Sequence, residues 1–398
     1  MKPSSLASSS KAYGRKFYLS LAPDVIMCKM ENFCLYKISK DELYEVNEEA
    51  FQALKRLDGT VSLSEMKLDE KFLSYCLKEK LLIKHSASIY HPVTIRKTPI
   101  PSLRYLELII TRRCTRRCAH CYLGRPKSID MKPSVAYIAM KQFEEMGGLR
   151  LLVSGGEPLV HPHFDSINEL MVHHKFRKVL LTNGDLLSRD RARQLNVEEI
   201  QVSVDGLEKG HDAIRGKGSF KKAFQAIENA LVEGFDVSVA TMIHNQNLQE
   251  LPMLRRILIE MGVKEWNLDL PCAAGNAYRN RSLIPPIEKA GRFMLLGFGG
   301  SYHGGGGEGW ACGRHLVAVV PTGNVIRCGF YEDAPLGSIL DDGLLTAWKR
   351  KKHIRLSKTD CLDCEYIAEC GGGCRFRAGS DTGADLFMCA VYGKEKIT

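Results

Sequence analysis

Three cysteines lie close together in the stretch TRRCTRRCAHCYLGR (111–125). Cys114, Cys118 and Cys121 have the spacing C-x3-C-x2-C. Three thiolates can hold three irons of a [4Fe–4S] cube, which leaves the fourth iron open to a ligand from outside the chain. Zinc is the alternative, but structural zinc needs four protein ligands, and His120 adjoins Cys121 in a poor geometry for the fourth place. We therefore expect an iron–sulfur site with one open coordination position.

A second set of cysteines lies in the last quarter of the chain. The chain has 14 cysteines, and with no secretory signal a disulfide framework is not expected. Clustered cysteines indicate metal or iron–sulfur binding, with a zinc ribbon as the alternative for Cys361 to Cys374. Cys28, Cys34 and Cys76 lie in apolar patterns and are expected to be buried. The second set consists of Cys312, Cys328, Cys361, Cys364, Cys370, Cys374 and Cys389.

The elements that must position the first cysteine group begin at Leu103. From there, apolar strands alternate with helical stretches such as PSVAYIAMKQFEEMGG (133–148). Six βα units predict an α/β fold with a parallel sheet covered by helices. Because a closed barrel needs eight units, we expect a partial, open (βα)6 barrel over residues 103–285. The strand segments are LRYLELII (103–110), LRLLVSG (149–155), RKVLLTNG (177–184), EIQVSVDG (199–206), FDVSVATMI (235–243) and EWNLDLP (265–271).

Polar and glycine-rich segments follow these strands, at the edge where such sheets carry their active sites. The first cysteine group follows strand one, and the GGEP segment (155–158) follows strand two. Ser203 and Asp205 close strand four, and Cys272 follows strand six. We expect Cys272 to pack in the wall of the site, with a thiol that faces the substrate as the alternative. These features should meet at one rim.

The motif C-x3-C-x-aromatic-C after the first strand of a partial barrel resembles the radical S-adenosylmethionine (radical SAM) superfamily, with His120 in the aromatic position. The resemblance implies that the amine and carboxylate of S-adenosylmethionine chelate the open iron. It also implies that an electron delivered through the cluster cleaves a carbon–sulfur bond. The product would be a 5′-deoxyadenosyl radical, which abstracts hydrogen from the substrate.

The same resemblance implies which residues surround S-adenosylmethionine. The GGEP segment resembles the motif that holds the methionine amine, because glycines let the backbone approach and a carboxylate accepts from a cationic amine. Ser203 and Asp205 resemble residues that reach the ribose and methionine, and Arg215 is expected to pair with the methionine carboxylate. The alternative for each is a strand-end cap or a surface salt bridge. The GGEP residues are Gly155, Gly156, Glu157 and Pro158.

Residues 290–398 resemble the SPASM extension of this superfamily, which binds two auxiliary [4Fe–4S] clusters. The resemblance implies a closed cluster on Cys361, Cys364, Cys370 and Cys389. It implies a second cluster on Cys312, Cys328 and Cys374. The fourth iron of that second cluster is either open or bound by a residue such as His303 or Glu308. An open iron could bind substrate, whereas a closed cluster would only pass electrons.

Residues 17–92 are expected to form a separate winged-helix-like α+β module of short strands followed by helices. Asn47 is expected to cap the first helix and Gly59 to end it. The module resembles the PqqD-like RiPP recognition element, which adds the leader of a precursor peptide as a strand to its sheet edge. A purely structural cap is the alternative. Residues 1–16 are expected to be a disordered tail, and residues 91–102 a proline-containing linker.

The chain has a net charge of +10, part of it in the run KRKKHIR (349–355). We interpret this run as a solvated helix face, with a docking patch for an acidic electron donor, a flavodoxin or ferredoxin, as the alternative. No nucleic-acid-binding signature accompanies the charge. No run of about 20 apolar residues is available to span a membrane. With no secretory signal, we expect a cytoplasmic protein.

Together these features predict a radical SAM/SPASM maturase, an oxidoreductase that modifies a peptide or protein client. A second hypothesis is maturation of a cofactor or metalloenzyme. One example is modification of the tungsten- or molybdenum-pterin cofactor of aldehyde ferredoxin oxidoreductases. Another is modification of tetrapyrroles. A third hypothesis is a non-catalytic iron–sulfur electron carrier, which would need neither the GGEP motif nor an open iron.

Overall fold

The structure is a computed structural model that falls into two compact units, one ending at Lys97 and the other beginning at Thr98. The expected N-terminal tail, residues 1–16, lies outside the described residues. The described residues are 17–62, 65–66, 68–300 and 309–394.

The first unit contains two small sheets and two helices among its described residues. Its elements are β1 (Tyr18–Leu21), β2 (Val25–Lys29), β3 (Phe33–Lys37), β4 (Glu42–Val46), α1 (Glu48–Leu54), β5 (Asp58–Ser62), α2 (Glu70–Lys78), β6 (Leu82–His85) and β7 (Ile95–Lys97). The sheets have the orders β5-β1-β6 and β4-β3-β2-β7. Cys28, Cys34 and Cys76 are buried, as predicted. Helix α1 begins where Asn47 Oδ1 accepts from Ala50 N–H (2.8 Å).

Two boundaries of this unit differ from the sequence prediction. Helix α1 ends at Leu54, and Gly59 lies in strand β5, where its φ is +83°. The expected linker contains β7, which pairs parallel to β2 with Met27 opposite Ile95. The linker prediction rested on the prolines of that stretch. They flank the strand without entering it, so every residue of β7 keeps its backbone N–H.

The second unit is built on six parallel strands, as the alternating sequence pattern predicted. They are β8 (Tyr105–Thr111), β9 (Arg150–Gly155), β10 (Arg177–Thr182), β11 (Glu199–Ser203), β12 (Asp236–Met242) and β13 (Glu265–Asp269). Neighbours in the chain are neighbours in the sheet, and the strand order is linear. Their carboxyl ends therefore meet at one edge, which is where the polar segments follow.

Helices alternate with these strands and supply the apolar cover. They are α3 (Pro133–Glu145), α4 (Phe164–Met171), α5 (Arg189–Arg193), α6 (Glu208–Arg215), α7 (Ser219–Val232), α8 (Leu251–Glu260), α9 (Gly275–Arg279) and α10 (Ile287–Met294). Phe143 of α3 is fully buried and its ring lies 5.3 Å from that of Phe176. Burying one such side chain contributes about 1.5–3 kcal/mol. Among the described residues, none of the helices has the length and apolar character needed to cross a bilayer.

The C-terminal region extends the parallel sheet, which the sequence did not predict. Strand β14 (Leu316–Val319) pairs parallel to β8, and β15 (Asn324–Ile326) and β16 (Gly337–Ser338) continue antiparallel. Strands this short carry too little periodicity to be recognised. Four short helices complete the region: α11 (Leu344–Arg350), α12 (Ile367–Cys370), α13 (Arg375–Ala378) and α14 (Leu386–Val391).

Candidate active site at the carboxyl ends of the parallel strands

The loop of Cys114, Cys118 and Cys121 follows β8 directly and is held by the turn after β10. Asn183 donates its side-chain amide to Thr115 Oγ1 (3.0 Å) and to Cys114 Sγ (3.7 Å). A neutral amide donor beside a sulfur stabilises a thiolate at that position. The segment after strand three, which has no cysteine of its own, therefore helps to orient the first cysteine.

The segment after β13 holds the same loop from the other side. Asn276 donates its backbone N–H to Cys121 O (2.8 Å) and its side-chain amide to Cys118 O (2.9 Å). Gly275 has φ +54°, and a Cβ there would lie 2.3 Å from Tyr122 O. The contact thus requires glycine. Backbone carbonyls of the cysteine loop are satisfied by this segment.

The three thiols of this loop are near one another and partly desolvated. Burial raises the pKa of Cys114 to about 11, with smaller contributions from its two cysteine neighbours. Burial also raises the pKa of Cys118, whereas Arg215 lowers it. Since thiols must lose their protons to bind iron, assembly of a cluster here releases protons. Among the described residues, no His, Cys, Asp or Glu group has the geometry for a single metal ion, whereas a four-iron cube takes each thiolate at a different iron.

Gly155 and Gly156 bring the end of β9 into contact with the backbone of the cysteine loop. A Cβ on Gly155, which has φ +155°, would lie 2.5 Å from Thr111 O. A Cβ on Gly156 would lie 2.2 Å from Arg113 O and 3.0 Å from Cys114 Cβ. Any side chain would push the two segments apart, so the glycines are required for the packing of this rim.

Glu157 is fully buried and binds its own neighbours. Its carboxylate accepts from Thr182 Oγ1 (2.9 Å), Asn183 N–H (2.8 Å) and Leu159 N–H (3.2 Å). Burial raises the pKa of Glu157 to about 7, and these hydrogen bonds oppose that shift. The carboxylate joins the segments after β9 and β10, and Pro158, also buried, begins a short 3-10 turn. The contact between Glu157 and the methionine amine stays a prediction.

Asp205 and Arg215 form an ion pair at the end of β11, with Arg215 Nε donating to Asp205 Oδ2. The Asp205 side chain is 0% exposed and that of Arg215 is 11% exposed, so this is not the surface salt bridge that was the alternative. Burial raises the pKa of Asp205, but Arg215 together with His120 and His211 outweighs burial and holds that pKa well below its usual range. Asp205 Oδ1 also accepts from Met242 N–H (2.7 Å). Ser203, half-buried, is the last residue of β11.

His120 lies beside this pair, as its position in the cysteine motif requires. Its Nε2 is 3.6 Å from Asp205 Oδ2, and its Nδ1 has no hydrogen-bond partner among the described residues. Burial lowers the pKa of His120 to about 4, against the influence of Asp205. A buried ring nitrogen without a partner is costly unless a ligand completes it.

These observations fit a [4Fe–4S] cluster with S-adenosylmethionine. Three thiols are gathered on one loop, and glycines allow backbone contact within ångströms of Cys114. A cation, Arg215, is held by Asp205 near Cys118, and His120 leaves a polar atom unsatisfied among the described residues. The predicted site residues after strands one, two and four therefore meet at one rim.

In the C-terminal region, four of the second-set cysteines are near one another. Burial raises the pKa of Cys370 to about 11, and Cys361 and Cys389 raise it further. Burial also raises the pKa of Cys389, with added contributions from Cys361 and Cys364. This grouping is the one implied for the closed auxiliary cluster.

The remaining cysteines gather at a second point, which we call the near cysteine group: Cys272, Cys312, Cys328 and Cys374. Interaction with Cys374 raises the pKa of the Cys272 and Cys312 thiols and lowers that of Cys374, so these thiols lie close together. Cys328 is close enough to Cys374 for its pKa to be raised, after burial, by that neighbour. Cys272 was expected only to pack or to face substrate. The other suggested partners, His303 and Glu308, lie outside the described residues.

Asp385 hydrogen bonds to one cysteine of each C-terminal cysteine group, and Arg377 binds Asp385. Neither residue was identified from the sequence. Asp385 Oδ2 accepts from Cys374 N–H (2.7 Å), and Asp385 O accepts from Cys389 N–H (3.0 Å). Arg377 donates to Asp385 (2.9 Å) and to Asp269 at the end of β13 (2.5 Å). The available signal was an aspartate before the apolar run of α14, a helix-start pattern.

Glu107 is a second residue that the sequence reading missed. It lies in β8 and accepts from Ser154 Oγ (2.8 Å). Loss of water raises its pKa, and its charge in turn raises the pKa of Tyr122 and of Cys328. Glu107 therefore lies near Tyr122, the residue after Cys121, and near Cys328. The signal was a charged residue inside the apolar strand LRYLELII.

The basic run 349–355 is not a continuous helix face, because α11 ends at Arg350. Lys351 is buried and donates to Leu316 O (2.6 Å) and to Gly313 O. Lys352 is exposed and pairs with Asp381 (2.9 Å). The helix-face interpretation is wrong for residues 351–355, since the helix has ended and Lys351 and Ile354 are buried.

Comparison with known proteins places this site in a family. The Radical SAM superfamily model matches residues 108–258. The mycofactocin maturase MftC of Mycolicibacterium smegmatis is 26% identical over 298 residues, 67% of this chain and 76% of that protein. The Fe-coproporphyrin III synthase of Methanosarcina barkeri is 30% identical over 159 residues, 38% of this chain and 40% of that protein.

A solved structure shares the fold of the chain. Streptococcus suis SuiB, solved bound to its precursor peptide SuiA, superposes with a TM-score of 0.64 at 13% identity. The match covers 93% of this chain and 99% of SuiB. By their match to the superfamily model, residues 108–258 form a radical SAM domain, and the chain is an enzyme that carries this domain, which works with a [4Fe–4S] cluster and S-adenosylmethionine.

Proposed function

We propose that this enzyme is a maturase that oxidatively modifies a peptide or protein client recognised by its N-terminal unit. The observation that carries the client class is an apolar groove beside an edge strand. Strand β4 is at the end of the order β4-β3-β2-β7, and a groove of about 370 Å³ lies between β3, β4 and α2. The groove is lined by Leu35, Tyr44, Val46, Phe72, Tyr75 and Leu81, among others.

An edge strand presents unpaired N–H and C=O groups, and an extended peptide can add to it while its side chains fill an adjacent groove. This is the mode of the PqqD-like recognition element that residues 17–92 resemble. SuiB, which shares the fold, has been solved with a precursor peptide. Both facts support a peptide leader as the occupant.

When bound, the [4Fe–4S] cluster and S-adenosylmethionine supply a 5′-deoxyadenosyl radical that removes a hydrogen atom from the client. In this proposal the first cysteine group holds that cluster. Arg215, fixed by Asp205, binds the methionine carboxylate. The two glycines at the end of β9 allow the methionine amine to approach the backbone. The proposed contacts are Gly155, Gly156, Glu157, Pro158, Ser203, Asp205, Arg215 and His120.

Oxidative modification requires the client radical to lose one further electron. We propose two auxiliary [4Fe–4S] clusters as its acceptors, one on Cys361, Cys364, Cys370 and Cys389. The other is held by three members of the near cysteine group, Cys312, Cys328 and Cys374. An acidic flavodoxin or ferredoxin is the proposed external donor.

The full-length enzyme, reconstituted without oxygen and reduced with dithionite, tests the chemistry. It should convert S-adenosylmethionine to 5′-deoxyadenosine, and Cys114→Ala should abolish this because one corner of the cluster is lost. Cys28→Ala, a buried cysteine of the N-terminal unit, is the matched control and should keep the activity. Activity retained by Cys114→Ala would refute the assigned cluster site.

The client class is tested by an anaerobic pull-down with the full chain from an extract of the source organism. A short peptide whose mass changes after reaction supports the proposal. The second candidate function, modification of a cofactor such as a tetrapyrrole, is favoured by the likeness to the Fe-coproporphyrin III synthase. Recovery of a metalloenzyme or a porphyrin in place of a peptide would favour that candidate.

A further inference from the structure

We propose that Cys272 is the fourth cysteine ligand of the auxiliary cluster on Cys312, Cys328 and Cys374. The inference rests on the auxiliary clusters of the proposed function and identifies a ligand that the cysteine spacing of the C-terminal region does not contain. Cys272 belongs to the segment after β13, far from the other three in the chain.

The thiol positions support a shared centre. The thiols of Cys272 and Cys312 each lie close enough to Cys374 to shift its pKa. Cys328 is close enough to Cys374 to interact with it electrostatically. Cys272 is 6% exposed. Three thiols from separate segments therefore lie near the fourth, that of Cys374, and four is the number that closes a [4Fe–4S] cube.

A chain of ion pairs fixes Cys272 beside Cys374. Asp269, three residues before Cys272, pairs with Arg377 at 2.5 Å. Arg377 also pairs with Asp385 at 2.9 Å, and Asp385 accepts from Cys374 N–H at 2.7 Å. Each link is a charge-assisted hydrogen bond, which is stronger than a neutral one. The end of the last parallel strand is thus tied to the segment that carries Cys374.

Two cations accompany these thiols: Lys351, which is buried, and Arg377, whose side chain is 12% exposed. Arg377 interacts with Cys272 and Cys374, and Lys351 with Cys312 and Cys328. A cube with four thiolate ligands carries a net negative charge, which is costly in a dry site unless cations lie near it. Arg377 would offset that charge near Cys272 and Cys374, and Lys351 near Cys312 and Cys328.

A fourth cysteine leaves no open iron for the substrate. The cluster would then pass electrons only, and the client would not be coordinated to it. This decides between the two roles that three ligands allowed. It also removes the need for His303 or Glu308 as a ligand.

The test uses the full chain with Cys114, Cys118 and Cys121 replaced by alanine, so that only auxiliary clusters are present. This parent should bind about eight irons, four for each cluster, and its reduced EPR spectrum should not respond to added cyanide. Adding Cys272→Ala should either lower the iron content to about four or leave about eight with a spectrum that cyanide changes. Cys272→Ser, which offers an oxygen ligand, should keep the iron and shift the EPR signal.

Matched controls in the same parent are Cys28→Ala, His303→Ala and Glu308→Ala, all of which should resemble the parent. The inference is overturned if both Cys272 variants keep the parental iron content and EPR spectrum without a cyanide response. It is also overturned if His303→Ala or Glu308→Ala, and not Cys272→Ala, creates the cyanide response. A parent that binds no iron would instead remove the auxiliary clusters of the proposed function, and the ligand assignment with them.

Discussion

Asp205 and Arg215 are largely buried and carry opposite charges, so each residue compensates the charge of the other. Asp205 is also surrounded by His120 at 3.6 Å and by the backbone N–H of Met242 at 2.7 Å. Breaking such a pair by removing one partner leaves an uncompensated charge, whereas removing both charges together is tolerated far better. The structural role of the pair can therefore be separated by experiment from the proposed role of Arg215 in binding S-adenosylmethionine.

Arg215→Met should lower the free energy of unfolding by roughly 3–5 kcal/mol, because the Asp205 carboxylate stays buried without its cation. The double variant Asp205→Asn/Arg215→Met should regain most of that loss. Neither should bind S-adenosylmethionine as the wild type does, because the proposed carboxylate partner is gone. Denaturant titration and equilibrium dialysis under argon measure the two effects. Wild-type affinity in the double variant would show that Arg215 serves structure alone.

The raised pKa of Glu157 predicts that the free energy of unfolding depends on pH. Its pKa in the folded chain is raised to about 7 by burial, above the ordinary value of about 4.3. The folded state therefore holds the carboxyl proton of Glu157 more tightly than the unfolded state does. The contribution of this proton to the free energy of unfolding is complete below the ordinary pKa and is lost as the pH rises through about 7.

Glu157→Gln stays neutral throughout this range. Its stability relative to the wild type should therefore improve between pH 5 and pH 8, by a few kcal/mol at most. Denaturant midpoints at the two pH values give the comparison. A difference between variant and wild type that is constant over that range would contradict the raised pKa.

At the scale of elements, strand β4 and helix α2 form the groove proposed for a peptide. Tyr75 of α2 is 49% exposed and its ring lies 6.3 Å from that of Tyr44 in β4. Exposed aromatic side chains beside an unpaired strand edge are typical anchors for a bound peptide.

Tyr75→Ala should weaken binding of the client peptide by about tenfold or more, since an aromatic anchor is worth at least about 1.4 kcal/mol. Formation of 5′-deoxyadenosine without peptide should be unchanged. Tyr137→Ala, a tyrosine of α3 with 44% exposure, is the matched control. Fluorescence anisotropy with the labelled peptide measures the binding. Equal effects of the two substitutions would exclude the groove as the binding site.

At the scale of the whole molecule, the net charge of +10 favours an acidic electron donor. The run 349–355 contributes less than its sequence indicates, because Lys351 is buried. Lys349 and Lys352 are its exposed lysines, and Lys352 pairs with Asp381 on the same surface.

Reduction by an acidic flavodoxin should slow as ionic strength rises, since salt screens exposed charges. Lys349→Ser/Lys352→Ser should slow it further at low salt. The pair Lys141→Ser/Lys221→Ser, which removes the same charge from other exposed positions, should have a smaller effect. Stopped-flow absorbance follows the reduction. Rates independent of salt and of both double variants would remove the docking hypothesis.

The sequence by itself determined the features that depend on neighbours in the chain. The spacing of Cys114, Cys118 and Cys121 predicted the first site. The repeated apolar strands predicted six parallel strands and placed GGEP and Asp205 at one edge, because the carboxyl ends of parallel strands must meet there. The short strands β7 and β14 escaped recognition, since so few residues carry no clear period.

Only the tertiary structure decided which groups from distant segments meet. It brought Cys272 to Cys374 through Asp269 and Arg377, a pairing that no local pattern specifies. It also turned Lys351 inward, although its neighbours in the run are exposed. Burial and long-range ion pairs depend on the packing of whole elements, so the spacing of residues along the chain does not determine them.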